Sequence, residues 1–313
     1  MEHNKNIGCD MDLERLRAAT DILEAWREVQ DRPGNRGRSA GAVMGGAMVA
    51  TAGTRLTLGA PGVDRCLESG LACGGLHEVR CELARDIGAG TGFALGLAAL
   101  AADPARGRGG RIVWINDPAA RVDGGGLFPA GLAQYGIDPA AMTLVEPRDL
   151  QEAMWAADEA AGCGGLAAMV FHIRGNPARF DITATRRLLL RARENGVLAL
   201  VLRQSGQEEA TAALTRWRAQ TDVSGVDELD QRGVGAMRLS LTLERNRAGR
   251  TGQWLLAWNP KSRVFNHAAS RSLPADAQSA HSLHRLHPSA NRQDPSHAMG
   301  QVLDRRRDFG HAS

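Results

Sequence analysis

The chain has 313 residues, 43% of them hydrophobic and 23% charged, the proportions of an ordinary soluble globular protein with room for one large domain or two small ones. A formal net charge of +3 is too small to imply a polyelectrolyte partner, which counts against autonomous binding to nucleic acid. The five cysteines, Cys9, Cys66, Cys73, Cys81 and Cys163, are an odd set without a C-x-x-C pair, so they argue against a zinc ribbon or a disulfide framework and for reduced thiols.

The opening MEHNKNIGCDMDLERL is polar and charged, unlike a signal or transit peptide, and no apolar run is long enough to span a bilayer. A cytoplasmic location without membrane contact is therefore expected. Residues 11–30 have the spacing of an amphipathic helix. Leu13, Leu16 and Leu23 lie on one line, which Ile22 and Trp26 widen into a stripe. Residues 31–53 are rich in Gly, Ala and Arg and read as a linker. A helix held on such a linker either packs on a partner, through Leu13, Leu16, Leu23 and Trp26, or docks back on its own domain.

Residues 76–102 have the local signature of a phosphate-binding unit: an apolar strand start at Leu76, a glycine-rich stretch, and an apolar helix from about Phe93. Such a unit needs a lysine for the β/γ-phosphates and a Ser/Thr hydroxyl for the metal ion. The stretch reads Gly88-Ala89-Gly90-Thr91-Gly92, and the only lysines of the whole chain are Lys5 and Lys261. The glycines can still form a tight turn with close helix packing, or present backbone N–H groups to an anion. Neither a cofactor nor a metal ion is expected.

Beyond it the apolar strand RIVWI (111–115), the helix LQEAMWAADEAA (150–161), the strand LAAMVFHI (166–173), the helix TATRRLLLRARENG (183–196) and the strand VLALVL (197–202) alternate. Continuous apolar strands between helices predict a parallel sheet covered on both faces. Then the period falls to two: Met237, Leu239, Leu241 and Leu243 alternate with polar residues, and a turn leads into QWLLAWN, an antiparallel hairpin at the sheet edge. The arginine groups Arg216/Arg218 and Arg245/Arg247/Arg250 read as solvated faces. Residues 269–313 have few apolar anchors and read as a disordered tail. Its His281, His284 and His287 lack the fold that a metal site would need. Three parts follow: a helix and linker at 1–53, a core at 54–268 and a tail at 269–313.

Three blocks carry a family resemblance. RLTLGAPGVDRCLESGLACGGLHEV (55–79) is similar to the segment leading into the RecA phosphate loop. RIVWINDPAARVDGGGLFPAGLAQYGIDPAAMTLVEP (111–147) is similar to the second strand, following helix and third strand of that core. GVLALVLRQS (196–205) is similar to the strand bearing a nucleotide-sensing glutamine, here Gln204. With TRWRA (215–219) before the hairpin, the order of blocks most closely resembles the ImuA family, a RecA-like and SulA-like, damage-inducible family of bacteria. The resemblance implies an α/β, RecA-like core with a degenerate P-loop and a part in SOS-induced translesion synthesis. It also implies a polymerase-like ImuB subunit, an error-prone DnaE-type polymerase and RecA as partners, with DNA contacted weakly or through them.

The departures bear on chemistry. The lysine position falls on about Thr91, the hydroxyl position on about Gly92, the catalytic glutamate on about Pro118 and the metal-linked aspartate on about His172. Each lost group would contribute roughly 3 kcal/mol of transition-state stabilisation. The resemblance therefore implies a pseudo-ATPase without catalytic residues. The rival readings are a SulA-type division inhibitor that binds FtsZ and an ATP-dependent recombination regulator.

Overall fold

The computed structural model describes residues 54–106, 110–222 and 237–268, together with the backbone of a two-residue antiparallel pair, Val43–Met44 with Ala47–Met48. The expected helix at 11–30 and the tail from 269 lie outside the described residues.

A short strand, β1 (Arg55–Leu56), pairs antiparallel with β2 (Leu71–Ala72) around helix α1 (Pro61–Cys66). There follow β3 (Gly75–Cys81), α2 (Ile87–Ala101), β4 (Arg111–Asn116), α3 (Pro118–Gly124), α4 (Pro129–Gln134), β5 (Met142–Val145) and α5 (Leu150–Ala161). The remainder is β6 (Leu166–Arg174), α6 (Ile182–Asn195), β7 (Leu198–Gln204), β8 (Thr215–Asp222), β9 (Arg238–Asn246), β10 (Gly252–Asn259) and β11 (Val264–His267). Nine strands form one sheet in the order β11-β10-β9-β8-β3-β7-β6-β4-β5. From β8 to β5 all neighbours are parallel; from β8 to β11 they are antiparallel.

The split follows from the sequence. β3, β7 and nearly all of β6 are buried at every residue, as strands sandwiched between helix layers must be. In β9 only alternate residues, Leu239, Leu241 and Leu243, are fully buried, so that strand packs one face on the core. Two apolar clusters lie on the two sides of the sheet. One gathers α2 with Val79, Trp114, Leu202, Trp217 and Phe265, and the other gathers α5 and α6 with Leu76, Ile115, Phe171 and Val201. The α/β architecture is compatible with a RecA-like core. No helix among the described residues is long and apolar enough to cross a membrane.

Local chemistry sets the helix ends. Asp181 accepts hydrogen bonds from Thr183 N and Ala184 N at the start of α6, and Gly196 closes that helix at φ +71°, a conformation glycine adopts without a Cβ penalty. Asp149 accepts from Glu152 N and opens α5 in the same way.

Candidate functional site

In a parallel sheet the C-terminal ends of the strands are where a ligand would bind. Strand β3 ends at Cys81, and residues 82–86 lead directly into α2, which begins at Ile87. The expected helix start near Phe93 is thus corrected by six residues. Gly88, Gly90, Thr91 and Gly92 are not a loop; they lie in the first two turns of α2. The reason is packing. A Cβ on Gly90 would stand 2.4 Å from Cys81 Sγ and 2.9 Å from Leu202 Cδ1, and one on Gly92 would stand 2.5 Å from the Tyr135 hydroxyl and 2.6 Å from Met237 Cε. These glycines let a buried helix approach its neighbours. Of Gly88, Gly90 and Gly92, only Gly88 has no neighbour near its notional Cβ among the described residues.

Phosphate-binding strand–loop–helix units place their lysine and hydroxyl where the helix starts. Here the helix starts with Ile87 and Gly88, preceded by Asp86, while Thr91 and Gly92, the positions assigned by the resemblance, lie about a turn further in. Asp86 is buried, and its Oδ1 accepts a hydrogen bond from Thr221 N at 3.1 Å. A fixed carboxylate at the N-terminal end of a helix opposes a bound phosphate by like-charge repulsion.

The contrast among the glycines is testable. Gly88→Ala is expected to raise stability by about 0.5–1 kcal/mol, and Gly90→Ala to lower it by about 1–3 kcal/mol, in urea unfolding. A destabilising Gly88→Ala would mean that its backbone needs a conformation other than helix.

Beside α2 the ends of β4, β6 and β7 bring Asn116, His172 and Gln204 together, all buried. Trp114 Nε1 donates to Asn116 Oδ1 at 2.7 Å, which fixes the orientation of that amide. His172 Nδ1 lies 3.3 Å from the same oxygen and donates to it, so Nε2 of a neutral ring is an acceptor. The ring is neutral because burial lowers its pKa to about 4. The Gln204 amide atom that stands 3.1 Å from Nε2 is assigned as Oε1. A carbonyl oxygen facing Nε2 would require a charged ring, so the NH₂ must face it; this also gives a partner to Gln204 Nε2, which otherwise has none. Gly124 packs over the pair, its notional Cβ 2.6 Å from the same Gln204 amide atom that faces His172 and 3.3 Å from His172 Cε1. The end of α3 therefore lies directly on the relay.

His172 is accordingly a hydrogen-bonded core histidine, and Pro118 is the first residue of α3. Its neighbour Asp117, which the sequence reading passed over, is buried, and its backbone N–H binds His172 O at 2.9 Å. Among the described residues no group of three His, Cys, Asp or Glu side chains converges as a metal site. Among the described residues Cys66, Cys73, Cys81 and Cys163 are thiols outside any disulfide, and burial pushes the Cys81 thiol up to about 12. The proposed contact residues Leu13, Leu16, Leu23 and Trp26 lie outside the described residues.

A second polar cluster corrects the reading of Arg216 as part of a solvated face. Its side chain is 2% exposed, with its Nε 3.6 Å from Glu78 Oε2. Arg218 is half-buried and pairs with Glu82 and Glu244. Charged residues inside strands as apolar as β3 and β7, namely Glu78 and Arg203, were the available signal.

No protein-family model matches the chain. It is 34% identical over 227 residues to Protein ImuA from two strains of Caulobacter vibrioides, an alignment covering 66% of this chain and 86% of the relative.

Proposed function

Because the chain belongs to the ImuA family, we propose that it is a non-hydrolysing, RecA-like accessory protein in SOS-induced translesion DNA synthesis. Membership supports a part in damage-induced mutagenesis and partnership with an ImuB-type subunit. The finer reading adds that the protein is a scaffold, joining that polymerase-like subunit to an error-prone DnaE-type polymerase, with RecA a further candidate partner. What supports the non-hydrolysing part is the start of α2, which carries Asp86, Ile87 and Gly88 and neither a lysine nor a hydroxyl side chain. Without that cation, phosphoryl transfer lacks its main electrostatic support. What such a fold can still offer is protein–protein contact. The apolar stripe of Leu13, Leu16, Leu23 and Trp26 is the proposed contact element.

The test is genetic. Deleting the gene is expected to lower damage-induced mutation frequency and survival after ultraviolet exposure as far as deleting the ImuB-type partner does, with no further loss in the double deletion. Normal induced mutagenesis combined with lost filamentation after damage would move the assignment to a division inhibitor. Purified protein is expected to hydrolyse ATP at background rate with or without single-stranded DNA; DNA-dependent turnover would make it an ATP-driven regulator instead.

A further inference from the structure

The central sheet buries an unusual set of charges away from the α2 site. Glu78 on β3 lies opposite Arg216 on β8 in the strand register. Arg203 on β7, wholly buried, places Nε 3.0 Å from Glu78 Oε1, and Arg216 Nε approaches the other oxygen of the same carboxylate. Two guanidinium groups therefore flank one buried carboxylate, and this trio alone carries a net positive charge. A buried excess charge is costly unless another group neutralises it.

The neutralising groups come from the segment 207–211. Glu209 Oε1 lies 2.5 Å from Arg203 Nη2, and Glu208 Oε1 lies 3.0 Å from Arg216 Nη1. Arg216 Nη2 also donates to Glu209 O. The segment itself has no regular secondary structure. Among the described residues its backbone is anchored by other backbone only at its flanks, where Gly206 N binds Cys81 O and Leu214 N binds Leu76 O. Between them it hangs on side chains. Asn176 exchanges two hydrogen bonds with Gln207, Thr211 Oγ1 donates to Glu78 Oε2 at 2.8 Å, and Arg245 donates to Thr211 O. Glu208 is 67% exposed at its side chain. The fit is also imperfect: Arg203 Nε and Nη2, Arg216 Nε and Glu209 Oε1 sit at ion-pair distance without aligned hydrogen bonds.

We infer that Arg203 and Arg216 form an oxyanion site which the acidic segment 207–211 occupies in cis, and that a phosphate group takes the place of Glu208 and Glu209 when the segment lifts. Forked guanidinium donors suit the several oxygens of a phosphate better than two separate carboxylates held off-angle. The ligand is either free phosphate or the phosphodiester backbone of a single strand, chemistries that share the same oxygens.

The experiment uses the full chain carrying E208Q and E209Q, which keep the shape of the segment and remove its charge. In chloride buffer the double variant is expected to melt below the parent. Replacing chloride by inorganic phosphate at matched ionic strength is expected to raise its melting temperature by roughly 5–10 °C, and that of the parent by about 1 °C. Adding R216M to the double variant is expected to abolish the rescue. Sucrose, excluded from protein surfaces, controls for general stabilisation. Should the double variant not fold, E208Q alone is used, with hydrogen exchange at residues 207–211 read with and without phosphate. A fluorescent oligothymidylate separates the two sources. Binding about tenfold tighter to the variant than to the parent assigns a nucleic-acid strand, whereas phosphate rescue without it assigns a small phosphate. Equal response of parent and variant to phosphate, or rescue that survives R216M, overturns the inference.

Discussion

Lowering the pH from 7 to 4 is expected to remove about 6 kcal/mol of stability through two histidines, His77 and His172. Both are buried, and burial lowers each pKa from 6.5 to about 4. His77 is held neutral between Thr215 Oγ1 and Ala72 O, each at 2.8 Å, and Thr215 in turn accepts from Trp217 Nε1. The sign follows from the depressed folded-state values. Above 6.5 neither state binds the proton and the stabilisation is complete; between about 6.5 and 4 the unfolded chain takes up protons that the folded chain refuses. Each ring then costs about 3 kcal/mol by pH 4, a large share of the 5–15 kcal/mol typical of a whole domain. Urea unfolding at half-unit steps from pH 7 to 4.5 measures this ahead of most carboxylate titration. A double variant with glutamine at both positions should start lower and lose the slope. A flat profile for the parent would mean that the rings are not buried as neutral bases.

Phe93→Ala is the substitution expected to weaken the fold most, by about 3–5 kcal/mol, equivalent to a fall in melting temperature of roughly 10 °C. Phe93 stands on α2 with no exposed surface. Its ring meets Trp217 of β8 edge-on at 5.2 Å between centroids and Phe265 of β11 at 5.4 Å. Phe265 in turn meets Trp258 at 4.8 Å, and Trp258 stacks on Tyr135. One side chain thus joins the helix to both the parallel and the antiparallel parts of the sheet. Phe93→Leu, which keeps most of the volume, should cost no more than about 1.5 kcal/mol. Alanine within 1 kcal/mol of the parent would mean that the cluster closes around the gap and that Phe93 is not its centre.

Much of this architecture is legible in the sequence because the physics is local. Strands such as β6 and β7 are continuous apolar runs, and only burial on both faces accounts for such runs. The alternation from Leu239 to Leu243 marks the change to one-sided packing before any contact is known. The start of α2 is not legible in that way. Each interior glycine disfavours helix by about 1 kcal/mol, so Gly88, Gly90 and Gly92 read as loop. The offsetting gain lies in Cys81, Tyr135 and Met237, which reach these glycines only after folding. The burial of Arg216 is hidden for a similar reason, since its partner Glu78 stands on a strand far away in the chain. The relay of Asn116, His172 and Gln204 joins the ends of three strands, and only the order of the sheet makes them neighbours.

The bond from Thr221 N to Asp86 has an evolutionary consequence. The residue that opposes phosphate at the head of α2 also stitches β8 to the segment before that helix, so changing it weakens the fold before it gains any chemistry. A lysine placed at Ile87 alone would find Asp86 beside it, and its ammonium would pair there rather than wait for a nucleotide. On the proposed non-hydrolysing reading, phosphate binding at this helix would need at least two coordinated changes, the first of them harmful by itself. On the proposed reading, stability at this position and nucleotide chemistry pull against each other.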